Sequence, residues 1–162
     1  MYIVNKQFGG IIKINRIQHR LTLRYISHMT GLSSGYLSRV ERNKEEISFE
    51  NVQKIFSLMN VKLYDNHIDG EFESGFYRFI NDVIYMNDFQ ESFSKLEQYK
   101  KQICSSFSYI KYLLAEMIYK VNTENIVKIQ DYFYLEDYFD YLEDYQKVLY
   151  YEYIGLFFYN KF

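Results

Sequence analysis

No proline occurs in the 162 residues, and glycine occurs only seven times. Proline ends a helix by removing an N–H and clashing with the preceding turn, and glycine weakens one through backbone entropy. A chain with so few of either is free to run helix after helix, with polar stretches left to make the turns. Apolar residues recur at helical spacing along most of its length, which predicts an all-α fold.

The first third is the more sharply punctuated. Ile12, Ile17 and Leu21 supply the apolar positions of a first helix over about 6–19. Thr22 is a natural N-cap for a second, in which Ile26 and Met29 are apolar and Ser27 is small. Gly31 stops that helix, because the residue just past a helix end often needs a positive φ. Leu32 fills the turn towards the core. Ser33 caps a third helix that runs to about Arg42 with Leu37 and Val40 inward, and Ser48 caps a fourth that buries Val52, Ile55, Phe56 and Met59. A short helix, a glycine turn and a second short helix make a helix-turn-helix, with Gly31 in the turn.

The third helix opens on Ser33, Ser34 and Gly35. Small donors and free backbone N–H groups let such a helix start approach a duplex closely. Arg39 shares a face with Gly35 and Ser38 and is long enough to fork onto guanine O6 and N7. For an isolated R-x-x-R a solvated helix face would be the better reading; the surrounding framework favours DNA. Charge points the same way. Residues 1–66 hold ten Lys/Arg and five Asp/Glu, a net of +5, while 67–162 hold nine and sixteen, a net of −7. A basic front half suits a polyanion and an acidic back half does not.

The run LTLRYISHMTGLSSGYLSRVERNK (21–44), followed by ISFENVQKIFSLMNV (47–61), resembles the phage-repressor (XRE, Cro-like) DNA-binding family, and the likeness covers about residues 6–66. The resemblance implies that Ser34, Gly35, Ser38 and Arg39 face base edges in the major groove. It implies that Thr22, Leu23, Tyr36, Arg42 and Lys44 lie near phosphates, and that Arg16 and Glu41 form a pair linking the first helix to the end of the recognition helix. Three features depart from the usual pattern. Leu23 stands where the family usually has Gln, Asn43 replaces a common Gly, and Glu45 and Glu46 put negative charge in a loop that is often basic or neutral.

After a polar stretch at 62–70, the expected boundary between a domain 1–66 and a domain 67–162, helical spacing resumes. One run has Phe72, Phe76, Phe79, Ile80, Val83 and Ile84. The next has Phe89, Phe93, Leu96 and Tyr99, and a third has Phe107, Ile110, Leu113, Leu114, Met117 and Ile118. These predict antiparallel α-hairpins. Tyr134, Tyr138, Tyr141 and Tyr145 form a stripe at steps of 4, 3 and 4, flanked by Asp137, Asp140, Glu143 and Asp144. An amphipathic helix with its tyrosines in the core is favoured over a ligand-facing or DNA-mimicking acidic surface. Near the end, Tyr151, Ile154, Gly155 and Phe158 match the first half of a tetratricopeptide repeat, a unit of about 34 residues. Gly155 would let paired helices approach while Tyr151 and Phe158 fill the groove. A helix-turn-helix joined to such helices resembles the peptide-pheromone-responsive regulators of Gram-positive bacteria.

Little points to catalysis. Cys104 is the only cysteine, so no intramolecular disulfide or cysteine-based metal site is expected, which fits a reducing cytoplasm. His19, His28 and His67 have no metal or dyad spacing, Gly9 and Gly10 imply no phosphate loop, and no nucleophile motif appears. No apolar run is long enough to span a membrane, and the start lacks the pattern of a signal peptide. The expectation is therefore a cytoplasmic, non-enzymatic, sequence-specific transcriptional regulator without a cofactor. It would bind double-stranded DNA as a homodimer on a two-fold operator, with Tyr151, Ile154, Gly155 and Phe158 in the dimer contact and a peptide or protein effector on the C-terminal domain. The alternatives are a protein-interaction module of the antitoxin or anti-repressor kind and a truncated peptide-pheromone sensor.

Overall fold

Four short helices open the described chain, and three of them begin on a capping side chain. The structure, a computed structural model, describes residues 8–63, 68–123 and 127–159. Residues 6 and 7 of the expected first helix, residues 64–67 of the expected boundary and His67 lie outside them. The helices are α1 (Phe8–Gln18), α2 (Leu23–Thr30), α3 (Ser34–Glu41) and α4 (Phe49–Leu58). Thr22, Ser33 and Ser48 cap α2, α3 and α4, each side-chain oxygen accepting from the N–H three residues on. Gly31 closes α2 in the left-handed region at φ 76°, its N–H donating to the Ser27 carbonyl at 3.0 Å. A Cβ there would meet nothing within 4 Å. The site therefore resists a side chain through backbone conformation alone.

Ile11, Ile12, Ile14, Ile26, Leu37, Val40, Ile47, Val52, Ile55, Phe56 and Met59 form the core of this part. Two expected core positions lie outside it. Ile17 is 41% exposed. It stands five residues after Ile12, a step of about 140° around a helix, so both cannot face the same way. Met29 is 54% exposed. It borders a groove that α4 lines mostly with polar residues, Glu50, Gln53, Lys54 and Ser57, beside Leu58.

By internal contacts the chain divides into two units, Met1–Asp65 with Lys101–Ser106, and Asn66–Lys100 with Phe107–Phe162. The six residues 101–106 thus lie with the four-helix part. The buried Asn15 side chain donates to the Cys104 carbonyl at 2.7 Å as well as to its own helix at Ile11. The Ser105 hydroxyl donates to the Lys62 carbonyl at 2.8 Å. Ile103, at the end of the single turn α7 (Lys100–Ile103), is fully buried. The Cys104 thiol donates to the Lys101 carbonyl, and burial raises its pKa.

The second unit contains α5 (Asp69–Ile84), α6 (Phe89–Glu97), α8 (Ser108–Thr123), a 3₁₀ segment over Ile129–Tyr141 and α9 (Asp144–Tyr159). Phe72, Phe76, Phe79 and Ile80 on α5 face Phe93 and Leu96 on α6 and the apolar side of α8, all buried. Phe93 lies flat against Tyr119 at 4.0 Å between ring centroids and tilted to Phe79 at 5.6 Å. Ile84 ends α5 half-exposed rather than in the core.

The tyrosine stripe differs from its expected form. The segment is 3₁₀, not α, with non-helical angles at Tyr138, and its buried residues are Ile129, Tyr132, Leu135 and Tyr138. That is a step of three throughout, because a 3₁₀ turn holds three residues and eclipses i with i+3. Of the expected stripe only Tyr138 is buried; Tyr134, Tyr141 and Tyr145 are half-buried. Among the described residues there is no strand, and no helix is long and apolar enough to cross a membrane.

Candidate nucleic-acid interface

A helix start projects usefully only if its own cap leaves the neighbouring positions free. At α3, Ser33 Oγ is engaged by the Tyr36 N–H at 3.1 Å. Ser34 and Gly35 are exposed, Ser38 is half-buried and Arg39 is exposed. Leu37 and Val40 are buried, so the 34–35–38–39 face points away from the core by helix periodicity. A Cβ on Gly35 would lie 3.6 Å from Arg39 Nη1, so the arginine head group runs back along the helix towards its start.

The flanking residues are fixed in different ways. Thr22 is exposed and its oxygen accepts from the Tyr25 N–H at 3.1 Å; Leu23 is half-buried. The Tyr36 hydroxyl donates to the Glu46 carbonyl at 2.9 Å. Burial and the nearby Glu45 carboxylate raise its pKa, against a hydrogen bond with Asn51 that lowers it. Arg42 folds back, Nε donating to the Ser38 carbonyl at 3.0 Å, and Lys44 is exposed. Asn43 takes φ 55°, the left-handed conformation that Asn tolerates better than most residues.

Arg16 and Glu41 meet as a two-point fork. Arg16 Nε donates to Glu41 Oε1 at 2.6 Å and Nη2 to Oε2 at 2.9 Å, while Nη1 reaches the Leu21 carbonyl at 3.0 Å. Their side chains are only 16% and 6% exposed. One guanidinium thus ties the end of α1, the residue leading into the α2 cap and the last turn of α3. A planar fork onto a carboxylate fixes orientation as well as distance.

Two contributors are not visible in the sequence pattern. Gly9 touches α3 directly: a Cβ there would collide with the Val40 carbonyl oxygen, lie 2.7 Å from the Val40 carbonyl carbon and 2.9 Å from Asn43 Oδ1. Glu45 is the other, its Oε2 2.5 Å from Arg39 Nε. The sequence shows Glu45 only as an acid in a loop, and no spacing rule pairs it with Arg39. Among the described residues no group of three His, Cys, Asp or Glu side chains is placed to hold a metal. His19 is exposed and donates through Nδ1 to the Asn15 carbonyl, and His28 is exposed.

Comparison with curated proteins and with solved structures gives no match. Residues 12–66 match the family model described as Helix-turn-helix, a range that runs from within α1 past the end of α4 and includes all of α3 and the Arg16–Glu41 pair. Over those residues this chain carries a helix-turn-helix domain of the XRE type, a kind of domain found in DNA-binding regulators.

Proposed function

We propose that this protein is a sequence-specific transcriptional regulator that reads a two-fold operator through α3. The observation that carries the reading is the matched helix-turn-helix whose third helix presents Ser34, Gly35, Ser38 and Arg39 outward while Arg16 and Glu41 lock its far end. Ser34, Gly35, Ser38 and Arg39 read base edges. Thr22, Leu23, Tyr36, Arg42 and Lys44 lie at the backbone, and residues 1–66 supply the positive charge. Selection of bound sites from a random duplex pool tests the reading: one enriched, two-fold motif supports it, and an unenriched pool rejects it.

Arg39 and Lys44 separate the two kinds of contact. Arg39→Ala is expected to weaken binding to the selected site by about 1–3 kcal/mol and to relax preference at one base pair, because a groove-facing fork is lost. Lys44→Ala should weaken all duplexes alike and shallow the salt dependence, since each phosphate contact releases counterions. Titrations of both variants at several salt concentrations distinguish them. If Arg39→Ala behaves like Lys44→Ala, Arg39 does not read a base.

One such domain covers a half-site, so a homodimer is required, with half-sites about one helical turn apart. The second unit is the part that supplies it and that takes a peptide or protein effector. Helix α9 is the segment suited to the dimer contact. It buries Leu149, Tyr150, Tyr153 and Phe157 on one side, yet Val148, Tyr151, Leu156, Phe158 and Tyr159 on the other remain 39–81% exposed. Ile154 is half-buried, and a Cβ on Gly155 would meet nothing within 4 Å, which leaves this glycine free for close approach by a second copy. A helix apolar on both sides is normally covered on both. Sedimentation is expected to show a dimer for the intact chain and a folded monomer for Phe158→Glu. A monomer in both, well above the concentration needed for operator binding, would assign the outer face no dimer role.

A further inference from the structure

The exposed ion pair between Arg39 and Glu45 is held by more than its own attraction. The loop after α3 is pinned on both sides of Glu45. On one side Asn43 N–H donates to the Val40 carbonyl at 2.8 Å and Lys44 N–H to the Arg39 carbonyl at 2.9 Å. On the other, the Tyr36 hydroxyl donates to the Glu46 carbonyl at 2.9 Å. Asn43 in the left-handed conformation turns the chain back between these anchors. The backbone of residue 45 is therefore set before its side chain makes any contact, and the carboxylate meets Arg39 at Nε.

Which edge is held matters. A guanidinium has one nitrogen within the side chain and two at its tip. Glu45 engages the inner one, and among the described residues no hydrogen bond is made by Nη1 or Nη2. Nη1 lies over Gly35, 3.6 Å from where a Cβ would stand. The two tip nitrogens are the pair that can bridge guanine O6 and N7. Resting on the DNA-reading role proposed above, we infer that Glu45 is a positioning residue: it holds Arg39 by Nε so that the Nη1–Nη2 fork is presented to a guanine edge, and it thereby sets specificity at that base pair.

This assigns Glu45 two opposed effects. Its negative charge stands in a basic surface and weakens attraction to every duplex alike. Its contact with Arg39 removes side-chain freedom that the arginine would otherwise lose on binding, and that gain appears only where a guanine is present. An acid that simply occupied Arg39 would do the reverse at the guanine site, since its removal would release the reading group.

The experiment compares the full-length protein with Glu45→Gln, Glu45→Ala, Arg39→Ala and the double variant Glu45→Ala/Arg39→Ala. Affinities are measured for the selected site, for that site with the Arg39-dependent base pair exchanged, and for an unrelated duplex. Both Glu45 variants remove one negative charge, so both should bind the unrelated duplex more tightly and to a similar extent. Discrimination between the site and its exchanged form should fall by about 1.4–5-fold in Glu45→Ala, the span of an exposed ion pair. Glu45→Gln keeps an acceptor for Nε and should fall less. In the Arg39→Ala background, Glu45→Ala should leave discrimination unchanged.

Unaltered or increased discrimination in Glu45→Ala overturns the positioning role while the DNA-reading role stands. So does a fall in discrimination that persists without Arg39. If the wild-type protein enriches no site at all, the DNA-reading role itself fails, and this inference with it.

Discussion

A Gly9→Ala protein is expected to lose about 3 kcal/mol or more of the stability of its helix-turn-helix, at the upper end of what overpacking costs. One methyl group does so because of what stands opposite. Its Cβ would collide with the Val40 carbonyl oxygen and lie 2.7 Å from the carbonyl carbon. A flexible side chain could swing away, but this carbonyl belongs to α3 and accepts from the Asn43 N–H at 2.8 Å. Relief therefore requires α1 and α3 to separate, which also stretches the Arg16–Glu41 fork. Gly35→Ala is the control: its Cβ would meet only Arg39 Nη1, at an ordinary 3.6 Å, and alanine in a helix interior is favoured over glycine by about 1 kcal/mol. Hydrogen exchange of the α1 and α3 amides reports on this unit apart from the second. Protection in Gly9→Ala equal to that of the wild type would show that the two helices do not touch there.

The second large effect is expected at Arg16 and Glu41. Removing one member of a buried pair leaves the other charged without its counter-charge, at about 3–5 kcal/mol, whereas the intact pair is worth little over an apolar replacement. The two single losses should differ. Arg16→Met strands a carboxylate that is 6% exposed; Glu41→Leu strands a guanidinium that is 16% exposed and keeps its bond to the Leu21 carbonyl. Arg16→Met should therefore be the more destabilising. The double variant Arg16→Met/Glu41→Leu should recover at least about 1 kcal/mol of the summed single losses, a coupling typical of groups in direct contact. Strict additivity by the same exchange measurement would separate the two residues energetically.

Both predictions concern the contact of α1 with α3, which is where sequence and structure part company. The sequence shows Gly9 beside Gly10 with no motif around them, and it offers no way to see that Val40 stands opposite. The Arg16–Glu41 pair comes from likeness to the phage-repressor family, since nothing in a separation of 25 residues brings a guanidinium to a carboxylate. Asn15 is further out of reach: its partner, the Cys104 carbonyl, is 89 residues away, in a segment that helical spacing marks only as a break. The same holds for Glu45, whose loop is legible as acidic while the direction of its carboxylate depends on three backbone anchors.

The sequence alone determined the local grammar of this protein. Thr22, Ser33 and Ser48 start helices, and Gly31 ends one, because a cap oxygen and the N–H it receives lie three residues apart and a positive φ belongs to a single residue. Leu37 and Val40 face inward, and Phe72, Phe76 and Phe79 do the same on α5, because helix geometry ties spacing to side. Packing, by contrast, settled which helical geometry residues 129–141 adopt. Their apolar residues permit steps of both three and four, and packing in the second unit selects the three-residue step that buries Tyr132, Leu135 and Tyr138. It also decided that Met29 stays outside and that 101–106 lies with the first unit. Each of these depends on what a distant part of the chain places opposite, and a residue's own neighbours in sequence carry no record of that.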